Sequence, residues 1–270
     1  MTSELTAKLV RFQKPELSLP YLNGIAAAHI AALFGLEADE YRSLLDDLET
    51  RARAAAVDLL TEPEVATQVN RLPFAPEARV VALGESSTAD RLSWFEILRH
   101  LVQLQRPEDG IEFTNLAIAG ATTTQILKSS GALGFQRPDW VLCQLGANDA
   151  QRVGENEPRV VSAEETVRNF DLLRKQAAAA RWVWLTPTDI DEALLAEFPP
   201  FRAAGISWRA KDHAETATVL DARPEVVIDT LSATRPRPER RLFEPDGVHL
   251  TPAGQVAVAR AVLAELARLD

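Results

Sequence analysis

Four short polar segments of this sequence carry side chains suited to chemistry on an acyl group. In chain order they supply a serine hydroxyl, a glycine N–H, an asparagine amide, and a histidine that follows an aspartate by three residues. Attack on an ester requires a nucleophile, a base oriented by an acid, and donors for the oxyanion. The segments that predict such a site are Gly84-Glu85-Ser86-Ser87-Thr88, Ala119-Gly120-Ala121, Gly146-Ala147-Asn148-Asp149 and Asp246-Gly247-Val248-His249.

The elements that must position these segments follow from the hydrophobic pattern after Arg79, where short apolar runs alternate with amphipathic helical patterns. The predicted strands are 80–83, 113–118, 140–145, 182–186 and 226–230, and the predicted helices are 91–105, 123–129, 163–180, 191–201, 208–222 and 252–269. Apolar strands joined by helices predict a parallel sheet covered on both faces, that is, a three-layer α/β/α sandwich. The carboxyl ends of its strands form the edge where ligands bind.

Residues 1–75 contain none of the polar segments and read as an α-helical N-terminal extension. Helices are predicted near 22–34, over 38–60 and from Pro63 onward. The prolines of Leu72-Pro73-Phe74-Ala75-Pro76 end this pattern, so the predicted catalytic domain spans 76–270. We expect the extension to pack passively on the sheet, with covering of the site and homo-oligomer formation through its helices as alternatives.

The four segments, in their order and spacing, resemble those of the SGNH hydrolases, also called GDSL-type esterases and lipases. The resemblance covers roughly residues 79 to 268. It implies that Ser86 is the nucleophile and His249 the base, with Asp246 orienting His249. It also implies an oxyanion hole formed by the Ser86 N–H, the Gly120 N–H and the Asn148 amide.

Two residues depart from the family pattern around the serine. Glu85 stands in place of the usual aspartate, and Asp90 stands where a glycine often follows. The family aspartate mainly supports the loop, so we expect the longer Glu85 to do similar work. The alternative Gly-x-Ser-x-Gly motif is not met, because Thr88 occupies its last position.

Each segment also has a purely structural interpretation. A serine after a strand commonly caps a helix, a glycine relieves a tight turn, and Asn or Asp-Gly forms turns. His29, His100 and His213 fall in predicted helices, where surface or packing roles are expected. The presence of all four segments in one order favours the catalytic interpretation of Ser86 and His249.

A further stretch, from Thr188 to Trp208, is acidic at first and then aromatic, with Phe198 and Phe201 flanking two prolines. Because it follows a predicted strand, it should lie on the ligand-binding side of the sheet. Two interpretations are equally supported, a wall of an acyl or leaving-group pocket and an ordinary surface helix.

Composition limits the class of protein. The chain has 270 residues with 46% hydrophobic and 25% charged residues, and its formal charge of -10 argues against a nucleic-acid partner. Cys143 is the single cysteine and lies in an apolar run, so we expect a buried thiol and no disulfide. We read neither a signal peptide nor a membrane span and expect a cytoplasmic protein. No metal or phosphate motif suggests a cofactor.

The predicted function is a serine esterase that hydrolyses small-molecule carboxylic esters through an acyl-enzyme. Two alternatives stay open: a non-catalytic SGNH-like binding or scaffold protein, motivated by Glu85 and Asp90, and an acyltransferase that uses the same serine. The family resemblance does not choose the acyl group.

Overall fold

A five-stranded parallel sheet forms the centre of the molecule. The computed structural model describes residues 3–18, 25–154 and 158–269 of the chain. The strand order is β2-β1-β3-β5-β7, with β1 Arg79–Gly84, β2 Glu112–Asn115, β3 Trp140–Gln144, β5 Arg181–Leu185 and β7 Val226–Ile228. Two short strands, β4 Arg152–Val153 and β6 Ile206–Ser207, form a separate antiparallel pair.

Helices surround the sheet and precede it. Those before the sheet are α1 Ser3–Phe12, α2 Pro15–Ser18, α3 Ala27–Leu33, α4 Ala38–Leu60 and α5 Pro63–Asn70. Those within the α/β part are α6 Ser86–Ala89, α7 Trp94–Gln105, α8 Thr123–Ser129, α9 Gly131–Gln136, α10 Ala163–Gln176, α11 Glu192–Glu197, α12 Pro199–Ala204, α13 Ala210–Asp221, α14 Thr230–Ala233 and α15 Pro252–Leu266. A 3₁₀ turn spans Pro107–Asp109.

The two faces of the sheet bury separate apolar cores, because neighbouring strand residues point to opposite faces. On β1, Val80 and Ala82 join the core beneath α5, α7 and α15. Val81 and Leu83 join the core beneath α8, α9 and α10, where Cys143 is fully buried. The expected three-layer α/β/α fold and the buried thiol are thus confirmed.

Strand register brings the predicted site segments to one edge of the sheet. Gly84, the last residue of β1, pairs with Gln144, the last residue of β3. The segments containing Ser86 and Asn148 therefore leave adjacent strands at the same level. Strand β2 pairs with the other side of β1, and the chain reaches Gly120 soon after it ends at Asn115.

The N-terminal helices pack in two ways. Residues of α4 and α5, among them Leu59 and Val69, join the core between the sheet and α7. A second cluster unites α1, α3 and the first part of α4 with Leu92. The part of the predicted helix over 22–24 lies outside the described residues, while α1 was not predicted. The domain boundary near residue 75 and self-association through these helices stay predictions.

Two predicted elements have different limits in the structure. The helix expected over 191–201 is divided at Phe198, which is extended because Pro199 follows it. Strand β2 ends at Asn115 rather than at Ile118, and the Asn115 side chain accepts the Ala117 N–H at 3.1 Å as the chain turns. None of the helices in the described ranges is long and apolar enough to cross a membrane.

Candidate active site

Asp246 and His249 form a hydrogen-bonded pair. The Nδ1 of His249 lies 2.9 Å from Oδ2 of Asp246, so the ring donates to the carboxylate. The other oxygen, Oδ1, accepts the backbone N–H groups of Val248 at 3.1 Å and His249 at 2.8 Å. Burial acts to raise the pKa of Asp246, but the hydrogen bonds and charge of His249 and the nearby Lys8 ammonium outweigh it, and the net pKa lies well below its usual range. Asp246 is therefore an ionised and firmly held partner for the imidazole.

A tight hairpin before α15 carries this pair. Phe243 and Leu250 form an antiparallel bridge, and the Glu244 N–H donates to the His249 carbonyl at 2.7 Å. Gly247 adopts a φ of +71°, and a Cβ there would lie 2.4 Å from the Asp191 carbonyl oxygen. Only glycine fits this turn, which fixes where His249 leaves the loop.

The expected helix start after the hairpin is confirmed. The Thr251 hydroxyl accepts the Gly254 N–H, and Pro252 occupies the first turn of α15. The backbone on both sides of His249 is therefore fixed, by the turn at Gly247 and by this cap.

Ser86 is half-buried at the start of the single-turn helix α6. The Asp90 N–H closes this turn by donating to the Ser86 carbonyl at 3.0 Å. The turn packs closely against the end of β1, since a Cβ on Gly84 would lie 2.5 Å from the Thr88 Cβ. Among the hydrogen bonds of the described residues, none joins the Ser86 hydroxyl to the His249 ring. Catalytic hydrogen bonds are often long in unliganded sites and tighten when substrate binds.

The Ser86 loop and the His249 hairpin are nevertheless tied together. Gln255 of α15 donates from Nε2 to the Ser87 carbonyl at 3.0 Å and to Oδ2 of Asp90 at 3.2 Å. The Trp94 N–H donates to the side-chain oxygen of the same glutamine at 3.0 Å. This glutamine holds the Ser86 loop against the helix that follows His249.

The three expected oxyanion donors differ in their present contacts. Within the part of the chain that the structure describes, the N–H groups of Ser86 and Gly120 donate to no protein acceptor. Gly120 is exposed with a φ of +79°, a conformation that glycine adopts without strain. The Asn148 amide donates to the Ala121 carbonyl at 3.2 Å, which occupies one of its two hydrogens. All three retain a donor for an oxyanion.

Glu85 supports the Asn148 loop from beneath. Its two carboxyl oxygens accept the N–H groups of Ala147 at 2.9 Å and Asn148 at 2.8 Å. Complete burial raises the pKa of Glu85 to about 8, an effect that these backbone donors oppose and the charge of Asp149 reinforces. The departure from aspartate thus gives a carboxyl that reaches from the Ser86 loop to the Asn148 loop.

Helix α1 contributes three side chains that the sequence analysis missed. Lys8 donates to Oδ2 of Asp246 at 3.1 Å, and the Phe12 ring lies 4.8 Å from the His249 ring, centroid to centroid. Arg11 binds both Asp90 and Glu244. The available signal was an amphipathic pattern over 3–12 with a basic face, but nothing in the sequence says which acids it meets.

The aromatic stretch after β5 also borders the site. Trp208 donates from Nε1 to the Ala147 carbonyl at 3.0 Å. Its ring contacts Phe201, which in turn contacts Phe198 with ring centroids 4.9 Å apart. Lys8 of α1 lies 5.9 Å above the Phe198 ring. These aromatic side chains lie between the Asn148 loop and α1.

The other histidines lie in structural settings. His29 is exposed on α3, His100 is buried beside Glu49, and buried His213 donates from Nδ1 to the Thr188 carbonyl at 2.7 Å. Burial lowers the pKa of both His100 and His213. Over residues 3–18, 25–154 and 158–269, no three His, Cys, Asp or Glu side chains are grouped to hold a metal ion.

Several solved structures share the fold of this chain. LAE5, an α/β hydrolase enzyme from the metagenome of Lake Arreo, matches with a TM-score of 0.56 and 21% identity over 73% of this chain and 98% of that one. A catalytic mutant of Axe2, an acetylxylan esterase from Geobacillus stearothermophilus, matches with a TM-score of 0.55 and 19% identity over 73% and 97%. A lipase/acylhydrolase from Enterococcus faecalis gives 0.55 and 21% over 70% and 95%.

At these identities the solved structures establish the fold alone. A search of the curated proteins found no match. The model of the GDSL-like Lipase/Acylhydrolase family matches residues 82–257, which include Ser86, Gly120, Asn148, Asp246 and His249. This match extends over well more than half of the sequence, so the chain belongs to the GDSL-like lipase/acylhydrolase family.

Proposed function

We propose that this protein is a serine esterase that hydrolyses small-molecule carboxylic esters. Ser86 is the nucleophile, His249 the general base and Asp246 the orienting acid. The observation that carries the proposal is the 2.9 Å contact between His249 Nδ1 and Asp246 Oδ2, on a hairpin that Gln255 and Arg11 tie to the Ser86 loop. Family membership supports an ester as the substrate class.

In the acylation step, the Ser86 hydroxyl oxygen bonds to the ester carbonyl carbon while its proton passes to Nε2 of His249. Asp246 stabilises the resulting imidazolium through the Nδ1–H, and its two backbone donors prevent the carboxylate from rotating away. The carbonyl oxygen becomes an oxyanion bound by the Ser86 and Gly120 N–H groups and the Asn148 amide. Each such donor contributes about 10²- to 10³-fold in rate.

The tetrahedral intermediate then breaks its bond to the alcohol oxygen, and His249 returns the proton to the leaving alcohol. In deacylation, His249 takes a proton from water, and the water oxygen bonds to the acyl carbon. The Ser86 oxygen leaves with the proton from His249, which frees the carboxylic acid. One ester and one water give one acid and one alcohol, and no cofactor enters the balance.

The two departures at Glu85 and Asp90 do not count against this proposal. Glu85 accepts two N–H groups of the Asn148 loop, and Asp90 binds Arg11 and Gln255. Both side chains therefore contribute to placing the loops of the site, and neither replaces a group that the reaction needs.

The test is labelling of purified protein with a fluorophosphonate, together with turnover of p-nitrophenyl esters from acetate to decanoate. We expect Ser86→Ala to abolish labelling and to reduce turnover by about 10³-fold or more, with a similar loss of turnover in His249→Ala. Ser87→Ala is the matched control, because it removes the same hydroxyl from the adjacent residue and should retain both activities.

An unlabelled, inactive wild type with an intact fold would overturn the proposal and favour a binding or scaffold protein. Labelling with transfer of the acyl group to an added alcohol, in preference to water, would identify an acyltransferase instead.

A further inference from the structure

Lys8 of α1 binds the same carboxylate oxygen that holds the His249 ring. Its Nζ lies 3.1 Å from Oδ2 of Asp246, the atom that also accepts the His249 Nδ1–H at 2.9 Å. The Lys8 side chain is 43% exposed, whereas that of Asp246 is 2% exposed. A cation from the N-terminal extension is thus in direct contact with the buried acid of the proposed triad.

The placement of Asp246 does not depend on Lys8. Two backbone N–H groups hold Oδ1, and His249 holds Oδ2, so three donors already fix the carboxylate. What Lys8 adds is charge. A positive group beside Asp246 offsets part of the negative potential that stabilises an imidazolium at His249.

Helix α1 is seated firmly enough for this contact to persist. Phe12 is 6% exposed and packs its ring against the His249 ring, tilted by 55°. Arg11 is anchored on Asp90, and the Arg91 guanidinium donates to the Val10 carbonyl at 3.0 Å. These contacts hold the helical turn that follows Lys8, and this limits how far the Lys8 ammonium can move.

The other charged groups around the hairpin have partners of their own. Glu244 and Asp90 both bind Arg11. The Asp191 carboxylate accepts the N–H groups of Ala193 and Leu194 at the start of α11. Within the described part of the chain, Lys8 is therefore the charged side chain outside the hairpin that contacts Asp246 directly.

We propose that the charge of Lys8 acts on the active site through Asp246, opposing protonation of His249 and thereby extending ester turnover toward lower pH. This inference rests on the proposed function, since it assigns His249 the role of general base. It also gives the N-terminal extension a role beyond passive packing.

The experiment compares the pH profiles of kcat/KM for wild type, Lys8→Met, Lys8→Arg and Lys211→Met between pH 4.5 and 9. In Lys8→Met no positive charge at position 8 opposes protonation of His249. The acid limb of the kcat/KM profile should therefore move to higher pH by about 0.3 to 0.7 units, the range expected for a half-exposed ion pair. Lys8→Arg keeps the charge and should restore the wild-type limb. Lys211 is exposed on α13, and its replacement is the matched control.

A second readout does not depend on activity. The ring titration of His249 can be followed by NMR, with its signal assigned by its absence in His249→Gln. We expect the midpoint in Lys8→Met to move upward with the acid limb, while Lys8→Arg and Lys211→Met match wild type. An unmoved midpoint in folded Lys8→Met would overturn the inference.

Failure of the proposed function gives a different pattern. If wild type does not react with the fluorophosphonate, or if Ser86→Ala retains turnover, the esterase mechanism is wrong, whereas the NMR midpoint still reports whether Lys8 acts on His249. The role of Lys8 alone is rejected if reaction with the fluorophosphonate depends on Ser86 but Lys8→Met moves neither the acid limb of kcat/KM nor the NMR midpoint of His249.

Discussion

Arg11 binds Asp90 through two parallel hydrogen bonds, from Nε to Oδ1 at 2.8 Å and from Nη2 to Oδ2 at 2.6 Å. The same guanidinium donates to Glu244 at 2.8 Å and to the Leu250 carbonyl at 3.0 Å. Asp90 belongs to the Ser86 loop, whereas Glu244 and Leu250 belong to the His249 hairpin. One side chain of the N-terminal extension therefore joins the two loops that carry the proposed nucleophile and base.

Removal of this guanidinium should cost the protein much of its stability. Asp90 is completely buried, so Arg11→Met leaves a carboxylate without its cation, and loss of one partner of a buried pair costs about 3 kcal/mol or more. The free energy of unfolding in urea measures the loss. Arg42→Met is the control, because Arg42 and Asp39 form an exposed pair on α4 that should contribute less than about 1 kcal/mol.

The double variant Arg11→Met/Asp90→Asn separates the buried charge from other effects of the substitution. Asn at 90 carries no charge, so we expect the double variant to be more stable than Arg11→Met alone. If the two losses simply add, the pair is not coupled, and the destabilisation has another source.

The buried carboxyl of Glu85 predicts a pH dependence of stability. Its pKa is raised from 4.5 to about 8 by burial, so the contribution of the protonated group is complete below pH 4.5 and is lost as the pH rises through 8. Each unit by which the pKa is raised corresponds to about 1.4 kcal/mol, so the loss of stability is at most about 5 kcal/mol. Glu85→Gln has no proton to lose, and its amide can accept only one of the two loop N–H groups.

The measurement is the unfolding free energy of wild type and Glu85→Gln from pH 5 to pH 9. Groups common to both proteins cancel in the difference. We expect the advantage of wild type over the variant to be largest at pH 5 and to shrink steadily toward pH 9. An advantage that stays constant over this range would mean that the pKa of Glu85 is not raised in the folded protein.

The sequence predicted the sheet and the polar loops well because their signals are local. Apolar runs mark the strands, and Thr251 followed by Pro252 marks the start of α15. The spacing of Asp246 and His249 within a single turn predicted their contact. The division of the helix at Phe198 was also readable, since two prolines follow it, but the helical pattern was extended across them.

The role of α1 could not be predicted from the sequence in the same way. Lys8 is 238 residues from Asp246 in sequence, and Arg11 is 79 residues from Asp90. A ten-residue amphipathic helix is compatible with many surfaces, and the choice depends on long-range ion pairs that no local pattern encodes. The significance of Asp90 was hidden for the same reason, because its partner lies in another part of the fold.

Asp246→Asn should disable turnover while the fold persists. The amide can present an N–H to the ring nitrogen that now donates, which favours the wrong tautomer of His249, and the imidazolium loses its counter-charge. We expect kcat to fall by about 10³-fold or more with little change in KM. Steady-state kinetics with p-nitrophenyl acetate measure both constants.

Asp191→Asn is the control for this substitution. Asp191 caps α11 close to the same hairpin, and asparagine is an equally good helix cap, so turnover should be retained. Comparable kcat values for the Asp246 variant and wild type would exclude Asp246 as the orienting acid.

Phe198→Ala tests whether the aromatic stretch forms a wall of the substrate site. Phe198 is half-buried, with Phe201 on one side and the Lys8 ammonium 5.9 Å above its ring. If acyl chains lie against this ring, each methylene that loses its contact in Phe198→Ala should reduce transition-state binding by up to about 0.8 kcal/mol, or about fourfold in kcat/KM. The ratio of kcat/KM for decanoate to that for acetate should therefore fall by about tenfold or more.

Phe135→Ala is the matched control, because the same ring is 88% exposed on α9 and its loss should leave the ratio unchanged. An unaltered ratio in folded Phe198→Ala would return the stretch to the role of a surface helix. Lys8 would then border the proposed catalytic pair, Asp246 and His249, without also bordering an acyl site, and the influence of α1 would be confined to the charge at Asp246.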